Sequence, residues 1–428
     1  LGTIDDFSVK APDDFDAEQQ ATIEQVPIIQ QKTTTVGVSW KRKYKNGKGS
    51  MITSISTNRL QNIFSRYQDN AEKTGVIFEN DSYEQETKLR YQTQHYLDIW
   101  KLAAGTNIQY SDYGNDTQSI LYNLDYSTGI DFIKYGFFAK AERKFYNDNL
   151  GLSFGFRVDA DSFSEGSGLM DNFSPRIALT INLTQDQSWK INASVGRYYK
   201  IPTYTMLGFQ NSLRTFVNQK AKYIRSDHLV MGLEYAPGNA SRITLEGFYK
   251  KYIQYPISLI DGVSLANKGG GFEVLGNEAI SSDGRGKSYG VEALYQQKLS
   301  KNFYGVFAYT YFHSQFTTAI GNYLPSVWDS RHLISFSGGY KLKKNWEISA
   351  RWRFSGKTPY VPVNQNATSS AYPEVVLDYN QLGNVKLDPF NLADIRFDKK
   401  WNFKRYSFNF YFEIQNFLAQ AVPRPDEY

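Results

Sequence analysis

Cysteine is absent from this chain of 428 residues, and histidine occurs only four times. The first absence removes disulfide scaffolds, thiolate metal sites and cysteine nucleophiles. The histidines, His95, His228, His313 and His332, are scattered and show no H-x-x-x-H spacing that would make a ligand pair. Hydrogen bonding on the lumen side of a barrel wall is the expectation for them. Long apolar runs are missing as well, since no stretch approaches the roughly 18 residues that a membrane-spanning helix requires. No G-x-S-x-G nucleophile turn occurs, and Gly286-Lys287-Ser288 ends like a phosphate loop but has Ser281 where the first glycine belongs. An enzyme is therefore not expected, and neither a cofactor nor a metal site is. A large excess of one charge is also lacking: the net charge is +5, and basic residues fall in short clusters such as Lys41, Arg42 and Lys43. Such clusters read as solvated turns, so no nucleic-acid partner is expected. The first residues, from Leu1 through Asp5, Asp6, Asp13, Asp14 and Asp16, contain neither a basic nor an apolar leader segment. The chain is expected to be processed or to belong to a longer polypeptide, with its acid pairs as solvated charge.

Aromatic residues are what the chain has in quantity. Its 32 Tyr, 29 Phe and 7 Trp make up 16% of the residues, against 21% charged, and mean hydropathy is −0.50. Their placement alternates. Leu152, Phe154, Phe156, Val158 and Ala160 interleave with Gly151, Ser153, Gly155, Arg157 and Asp159. Tyr406, Phe408, Phe410, Phe412 and Ile414 interleave with Ser407, Asn409, Tyr411, Glu413 and Gln415, and similar windows begin at Arg176 and Trp346. Period-2 alternation is the signature of two-faced β-strands, and averaging over an apolar and a polar face is what keeps hydropathy low.

Similar windows between 32 and 417 number about sixteen. Short connections, at Asn46-Gly47, Asn147-Asp148, Gln185-Asp186, Pro237-Gly238, Ser300-Lys301, Lys343-Lys344 and Phe403-Lys404, alternate with long polar ones near 65–78, 111–130, 160–173, 202–226, 254–286, 316–329 and 356–390. Strands of roughly twelve residues exceed the soluble mode of about 5–6 and suit tilted membrane strands. Trp40, Trp100, Trp189, Trp346 and Trp401 lie beside short turns, as an interfacial girdle would. The fold class expected is all-β: a transmembrane antiparallel up-and-down β-barrel. With short turns periplasmic, both ends of the chain lie outside, a parity that calls for further strands before Leu1 and after Tyr428. Direct pairing of 33–44 with 405–417 would contradict it. Residues 1–31 are expected as an extracellular loop segment, 32–417 as barrel strands and loops, and 418–428 as the start of another extracellular loop.

The segments 171–208, 227–258, 286–311 and 328–362, with "LADIRFDKKWNF" at 392–403, resemble the barrel of TonB-dependent outer-membrane receptors. Ser174-Pro175-Arg176, Gly196-Arg197, Pro202-Thr203, Gly286 to Glu292 and Asp329-Ser330-Arg331-His332 carry the likeness by order and spacing. The resemblance implies about sixteen strands of a 22-stranded barrel, with five preceding and one following. It implies uptake of a scarce nutrient such as a metal chelate, glycan or peptide through the outer membrane of a Gram-negative bacterium, with long loops extracellular. Implied partners are outer-membrane lipid and lipopolysaccharide, a TonB-type energy-coupling protein acting through an N-terminal part outside this sequence, and a surface lipoprotein lid or other complex subunits. No plug domain, TonB box or aromatic-ended final strand is found in these residues. A structural subunit of an outer-membrane assembly or secretion complex, or a porin-like diffusion channel, are the other functions such a barrel serves.

Ligand contact is expected from aromatic and amide side chains of the long loops. The candidates are Tyr204, Phe209 and Asn211 in one loop, Tyr252, Tyr255 and Asn267 in a second, and Tyr360, Asn364 and Tyr372 in a third. Gly269-Gly270-Gly271 reads as a flexible loop.

Overall fold

The computed structural model describes residues 2–6, 28–45, 47–70, 72–119, 124–166, 168–268, 276–371 and 376–423. Asp13, Asp14, Gly269-Gly270-Gly271 and Tyr372 lie outside them. The described residues form eighteen strands. In chain order these are β1 (Gly2–Asp6), β2 (Ile28–Lys43), β3 (Gly49–Asp69), β4 (Thr74–Leu97), β5 (Trp100–Ser119), β6 (Leu124–Phe145), β7 (Leu150–Asp161), β8 (Ser174–Asn182) and β9 (Trp189–Lys200). Then follow β10 (Ile224–Tyr235), β11 (Ser241–Ser258), β12 (Ile280–Ser300), β13 (Phe303–Thr317), β14 (Tyr323–Pro325), β15 (His332–Lys341), β16 (Trp346–Ser355), β17 (Phe390–Asn402) and β18 (Ser407–Ile414). Each pairs antiparallel with its chain neighbour, except that the three-residue β14 covers only the end of β13 while β15 pairs with β13 directly. Without β1 and β14, sixteen long strands make one up-and-down wall.

Alternation becomes two faces through the register. One row of paired residues runs His95, Leu102, Ala141, Phe154, Ile177, Val195, Leu229, Tyr249, Tyr289, His313 across ten consecutive strands. It begins two residues before the end of β4 and finishes ten residues into β13. That climb is the stagger of tilted barrel strands. Large apolar side chains on this face stay exposed, such as Leu229 at 56% and Met231 at 60%, so it is the outer one. The lumenal face carries Ser, Gly, amides and charges, as in Glu84, Glu86 and Lys88 or Gln109, Ser111 and Asn115. His95, His313 and His332 share the outer face, and only His228 points into the lumen, where it lies against Tyr198. The expectation of lumenal hydrogen bonding is corrected for the other three: the strand stagger carries them to the two rims of the apolar belt. There they stack on tyrosines, His95 on Tyr44 at 4.9 Å and His313 on Tyr289 at 5.1 Å.

The short connections join β2–β3, β4–β5, β6–β7, β8–β9, β10–β11, β12–β13, β15–β16 and β17–β18 at one end. Asn147 and Asp148 both adopt positive φ, at 53° and 71°, the geometry that closes a two-residue hairpin without splaying its strands. Trp100, Trp189 and Trp346 open their strands, and Trp401 stands next to last in β17. Glycines facing aromatics across the ladder, Gly105 with Phe138 and Gly286 with Phe316, let a ring lie flat on the neighbouring backbone. A Cβ at Gly105 would sit 2.6 Å from the Phe138 ring.

Two of the expected long loops are strand instead. β3 and β4 run for 21 and 24 residues with only residues 70–73 between them, and β5 and β6 for 20 and 22. A membrane crossing uses about 9–11, so this sector rises far beyond the apolar belt. There the outer face turns polar and the lumenal face mixes amides and hydroxyls with a few apolar residues such as Tyr113, Ile130 and Phe132, so the alternation by which strands are recognised is lost. β1 lies along the outer half of β2, from Gly2 opposite Thr34 to Asp6 opposite Gln30. Among the described residues no ladder joins β18 to β2, and the wall is open between them.

Candidate functional site

The buried core of the molecule lies at the long-loop end, not in the belt. Tyr113, Ile130 and Phe132 on the lumenal face of β5 and β6 pack with Tyr204, Met206, Leu207, Ala221 and Leu265 from the β9–β10 and β11–β12 loops and with Ile280, the first residue of β12. Pro202, which cannot donate to a ladder, follows the end of β9. The chain then turns into α1 (Tyr204–Leu207), closed by Leu207 N–H to Thr203 O at 3.1 Å and Gly208 N–H to Tyr204 O at 2.8 Å. This turn presents Tyr204 and Leu207 to the wall.

Tyr204 is held on all sides. Its hydroxyl donates to Glu86 Oε1 at 2.6 Å, lies 3.1 Å from Ser111 Oγ, and receives Gln109 Nε2 at 3.3 Å and the Lys134 ammonium. The Lys134 charge also lies 4.8 Å from the ring centroid, and Phe132 and Tyr113 meet the ring edge-on. Glu86 is itself paired with Lys88 at 2.6 Å and Lys134 at 3.2 Å. Burial, followed by the Glu86 hydrogen bond, pushes the Tyr204 phenol well above the ordinary tyrosine range, so it stays a neutral donor.

Further bonds tie the loops to each other. Asn218, almost fully buried, donates to Met206 O and Glu278 O, each at 2.8 Å, and accepts from Ile280 N–H at 3.0 Å. Gly208 O receives Thr128 at 2.6 Å and Tyr126 at 3.1 Å. Lys268 bridges Asp261 at 2.7 Å and Glu278 at 2.9 Å and lies 5.9 Å from the Tyr379 ring centroid, which links the β11–β12 loop to the β16–β17 loop. The β9–β10 and β11–β12 loops therefore form a folded layer against the lumenal face of β5 and β6.

Tyr204 is thus an anchor of this layer. Phe209 is half-buried, 6.0 Å from the Tyr126 ring, and Asn211 is exposed, its Oδ1 accepting from Leu213 and Thr215 N–H. Tyr252 and Tyr255 lie in the upper end of β11 and not in a loop, because that strand runs on to Ser258, and there they meet the buried Phe316 of β13 at 5.4 and 4.6 Å. Asn267 is 1% exposed beside Lys268. Tyr360 lies in the β16–β17 loop, where Asn364 caps α2 (Gln365–Ala371) through Ala367 N–H. Glu86, Gln109, Ser111, Lys134, Asn218, Lys268 and Glu278 were not among the sequence candidates. The first four were legible as lumenal positions once β4–β6 are extended at period 2, whereas the loop residues carry no local signal. Lower in the lumen a groove is lined by Lys140, Arg157, Arg176, Ser194 and Tyr198. These arrangements offer stacking, amide and charged contacts for a ligand. Among the described residues, no three His, Asp or Glu side chains gather as a metal-holding group.

The chain is similar in structure to several solved proteins. The ferripyoverdine receptor of the Pseudomonas aeruginosa outer membrane matches with TM-score 0.65 and 14% identity over 92% of this chain and 53% of its own. The ferric-catecholate import receptor Fiu of Escherichia coli K12 matches with TM-score 0.66 and 10% identity over 92% and 61%, and the copper transporter OprC with 0.65 and 14% over 94% and 65%. At these identities the likeness is one of fold, and the chain spans about half to two thirds of their lengths. No curated protein sequence matches. The family model for the β-barrel of TonB-dependent receptor-like proteins matches residues 3–417, and the chain belongs to that family of Gram-negative outer-membrane proteins.

Proposed function

We propose that this wall is the greater part of a receptor that actively imports a scarce metal chelate, with its long loops outside the cell and its short turns in the periplasm. The observation that carries the reading is the folded loop layer, in which Tyr204 and Leu207 of one loop are seated on the inner wall of another sector. A layer so placed covers the lumen and presents exposed and half-buried aromatic and amide groups to the outside. Phe209, Asn211, Tyr252 and Tyr255 are the proposed contacts, with Tyr360, Asn364 and Tyr372 of the sequence between β16 and β17. The solved relatives, a ferripyoverdine receptor, a ferric-catecholate import receptor and a copper transporter, favour a metal cargo over a glycan or peptide. Energy would come from a TonB-type protein acting through a part of the polypeptide outside this sequence, and a surface lipoprotein or other subunits would complete the assembly.

Uptake of labelled ferric and cupric chelates by cells carrying or lacking the gene tests this. Gene-dependent uptake that a protonophore abolishes is expected. Gene-dependent passage unaffected by the protonophore would make the protein a diffusion channel, and no gene-dependent uptake would favour the assembly-subunit role.

A further inference from the structure

Register gathers basic side chains into one lumenal row on β6–β11. Taken strand by strand, the paired residues read Lys140, Gly155, Arg176, Gly196, His228, Lys250. The row lies well below the loop layer, because on β6 Lys140 stands six residues nearer the short turns than Lys134, roughly 20 Å along the strand. Its two glycines clear the wall between the basic residues. Tyr198, one row nearer the long loops, leans into the second of these gaps: a Cβ at Gly196 would sit 3.1 Å from the Tyr198 hydroxyl. The Tyr198 ring takes the Arg176 guanidinium at 4.3 Å from its centroid and the His228 ring at 4.5 Å. Ser226 Oγ lies 2.7 Å from His228 Nε2 and fixes the imidazole in that place. A groove of about 410 Å³ runs along this wall, with Lys140, Arg157, Arg176, Ser194 and Tyr198 among its lining. Its volume suits a small organic ligand, whose pockets span about 300–1,000 Å³.

Charge on this row is not balanced by the protein. On the same face Lys88, Arg157 and Arg396 each take a carboxylate two residues away along their own strand, Glu86, Asp159 and Asp398. Arg176 has Ser174 and Ala178 at that spacing, and Lys250 has Phe248 and Tyr252. Among the described residues neither pairs with a carboxylate, and Lys250 lies 5.0 Å from the Phe248 ring centroid. Glu142, one row below, is engaged by Lys101 at 3.0 Å and by Lys140. Asp227 belongs to the outer face and is held by Arg197 at 2.8 Å and Arg225 at 2.5 Å. The lumenal acids Glu246 and Glu292 stand four residues nearer the short turns, roughly 13 Å away.

We propose that this row is a lumenal subsite for the carboxylates of an anionic organic chelate, and that it selects cargo by charge below the outer loops. Arg176 and Lys250 supply the cations, and the planar guanidinium fork matches a carboxylate. Tyr198 adds a hydroxyl and a ring face for the organic body. His228, braced by Ser226, positions Tyr198 between itself and Arg176. The subsite deepens the transport reading and rests on it for the nature of the cargo.

The test is equilibrium dialysis of the full-length protein in mild detergent against labelled iron(III) citrate, which is anionic, a neutral iron(III) trihydroxamate, and sulfate. Heat-dependent gel mobility checks that each variant is folded. Wild-type protein should bind the anionic chelate about tenfold more tightly than the neutral one. The Arg176→Gln, Lys250→Gln double variant should lose that preference, binding the neutral chelate as before. Arg176→Lys, which keeps the charge, should retain most of it, and the two single Gln variants carry the test where the double variant does not fold. Unchanged binding by the folded Gln variants, equal affinity of the wild type for both chelates, or sulfate bound as tightly as the chelate would each overturn the proposal. Unchanged binding together with new protease cleavage in the part of the polypeptide outside this sequence would assign the row to holding that part instead. Dialysis reads binding and not uptake, so a failure of gene-dependent import and a failure of this subsite are told apart.

Discussion

The sectors β3–β6 and β7–β10 cross the same belt and part company above it. The first has strands of 20 to 24 residues and, between β3 and β4, a connection of a few residues. The second has strands of 9 to 12 residues and loops such as 201–223. One is a tall backstop, and the other supplies the chain that leans on it. Burial follows this division. Belt residues of β10 remain exposed on the outer face, while the buried apolar cluster forms where the β9–β10 loop meets the tall wall. In the belt the apolar surface is turned toward lipid, so packing within the chain contributes little there. Above it water returns, and the loop layer is held by apolar burial and satisfied polar contacts as in a soluble protein.

Leu207→Ala tests that contrast most severely. Leu207 is fully buried, and its truncation should cost about 2–5 kcal/mol. The loss should appear as faster hydrogen exchange across 201–223 with the strands of β7–β10 unaffected. Uniform deprotection of both would show that layer and wall are one cooperative unit. In the belt, Met231→Lys, one outward position deeper than Leu229 and 60% exposed, should cost roughly 2–4 kcal/mol, measured by reversible folding into lipid vesicles. A loss as small as that of its lumenal neighbour Val230→Lys would invert the face assignment.

Tyr204→Phe comes next, at about 1–3 kcal/mol, because it strips a partner from the half-buried Glu86 and Lys134 pair. It also carries a pH signature. The folded layer holds the phenolic proton more tightly than the open loop does, so its contribution is complete below the ordinary tyrosine pKa of about 10 and falls as pH rises through that range. Exchange rates of 201–223 followed from neutral to alkaline pH should show that loss in the wild type and not in Tyr204→Phe. The smallest effect is expected for Gln118→Lys, outward-facing on β5 but above the belt, at about 0.5 kcal/mol or less. A cost near that of Met231→Lys would mean that lipid reaches further up the tall wall than its polar surface indicates.

The strands that cross the belt were legible because lipid on one side and a polar lumen on the other impose period 2 on every residue. Phe154, Ile177 and Phe412 stand where alternation places them. The upper halves of β3–β6 were not legible. Ser82, Tyr83, Asn115 and Thr128 face water or polar loops, so backbone pairing survives there without a hydrophobic pattern to announce it. Tyr204 was selected as an aromatic in a long loop, and its residue type says nothing of whether it meets a ligand or a wall. The partners that decide this, Glu86, Ser111 and Lys134, lie on three other strands.

By itself the sequence determined the strand period, the two faces, the short-turn end and the family, all of which depend on neighbours within a few residues of one another. Only the tertiary structure decided the height of the β3–β6 wall, the seating of α1 against it and the placing of His95, His313 and His332 at the rims of the outer face. Each depends on strand stagger, which brings residues such as Lys251 and Lys287, or Glu86 and Tyr204, to one level although nothing local to either marks the other as its neighbour.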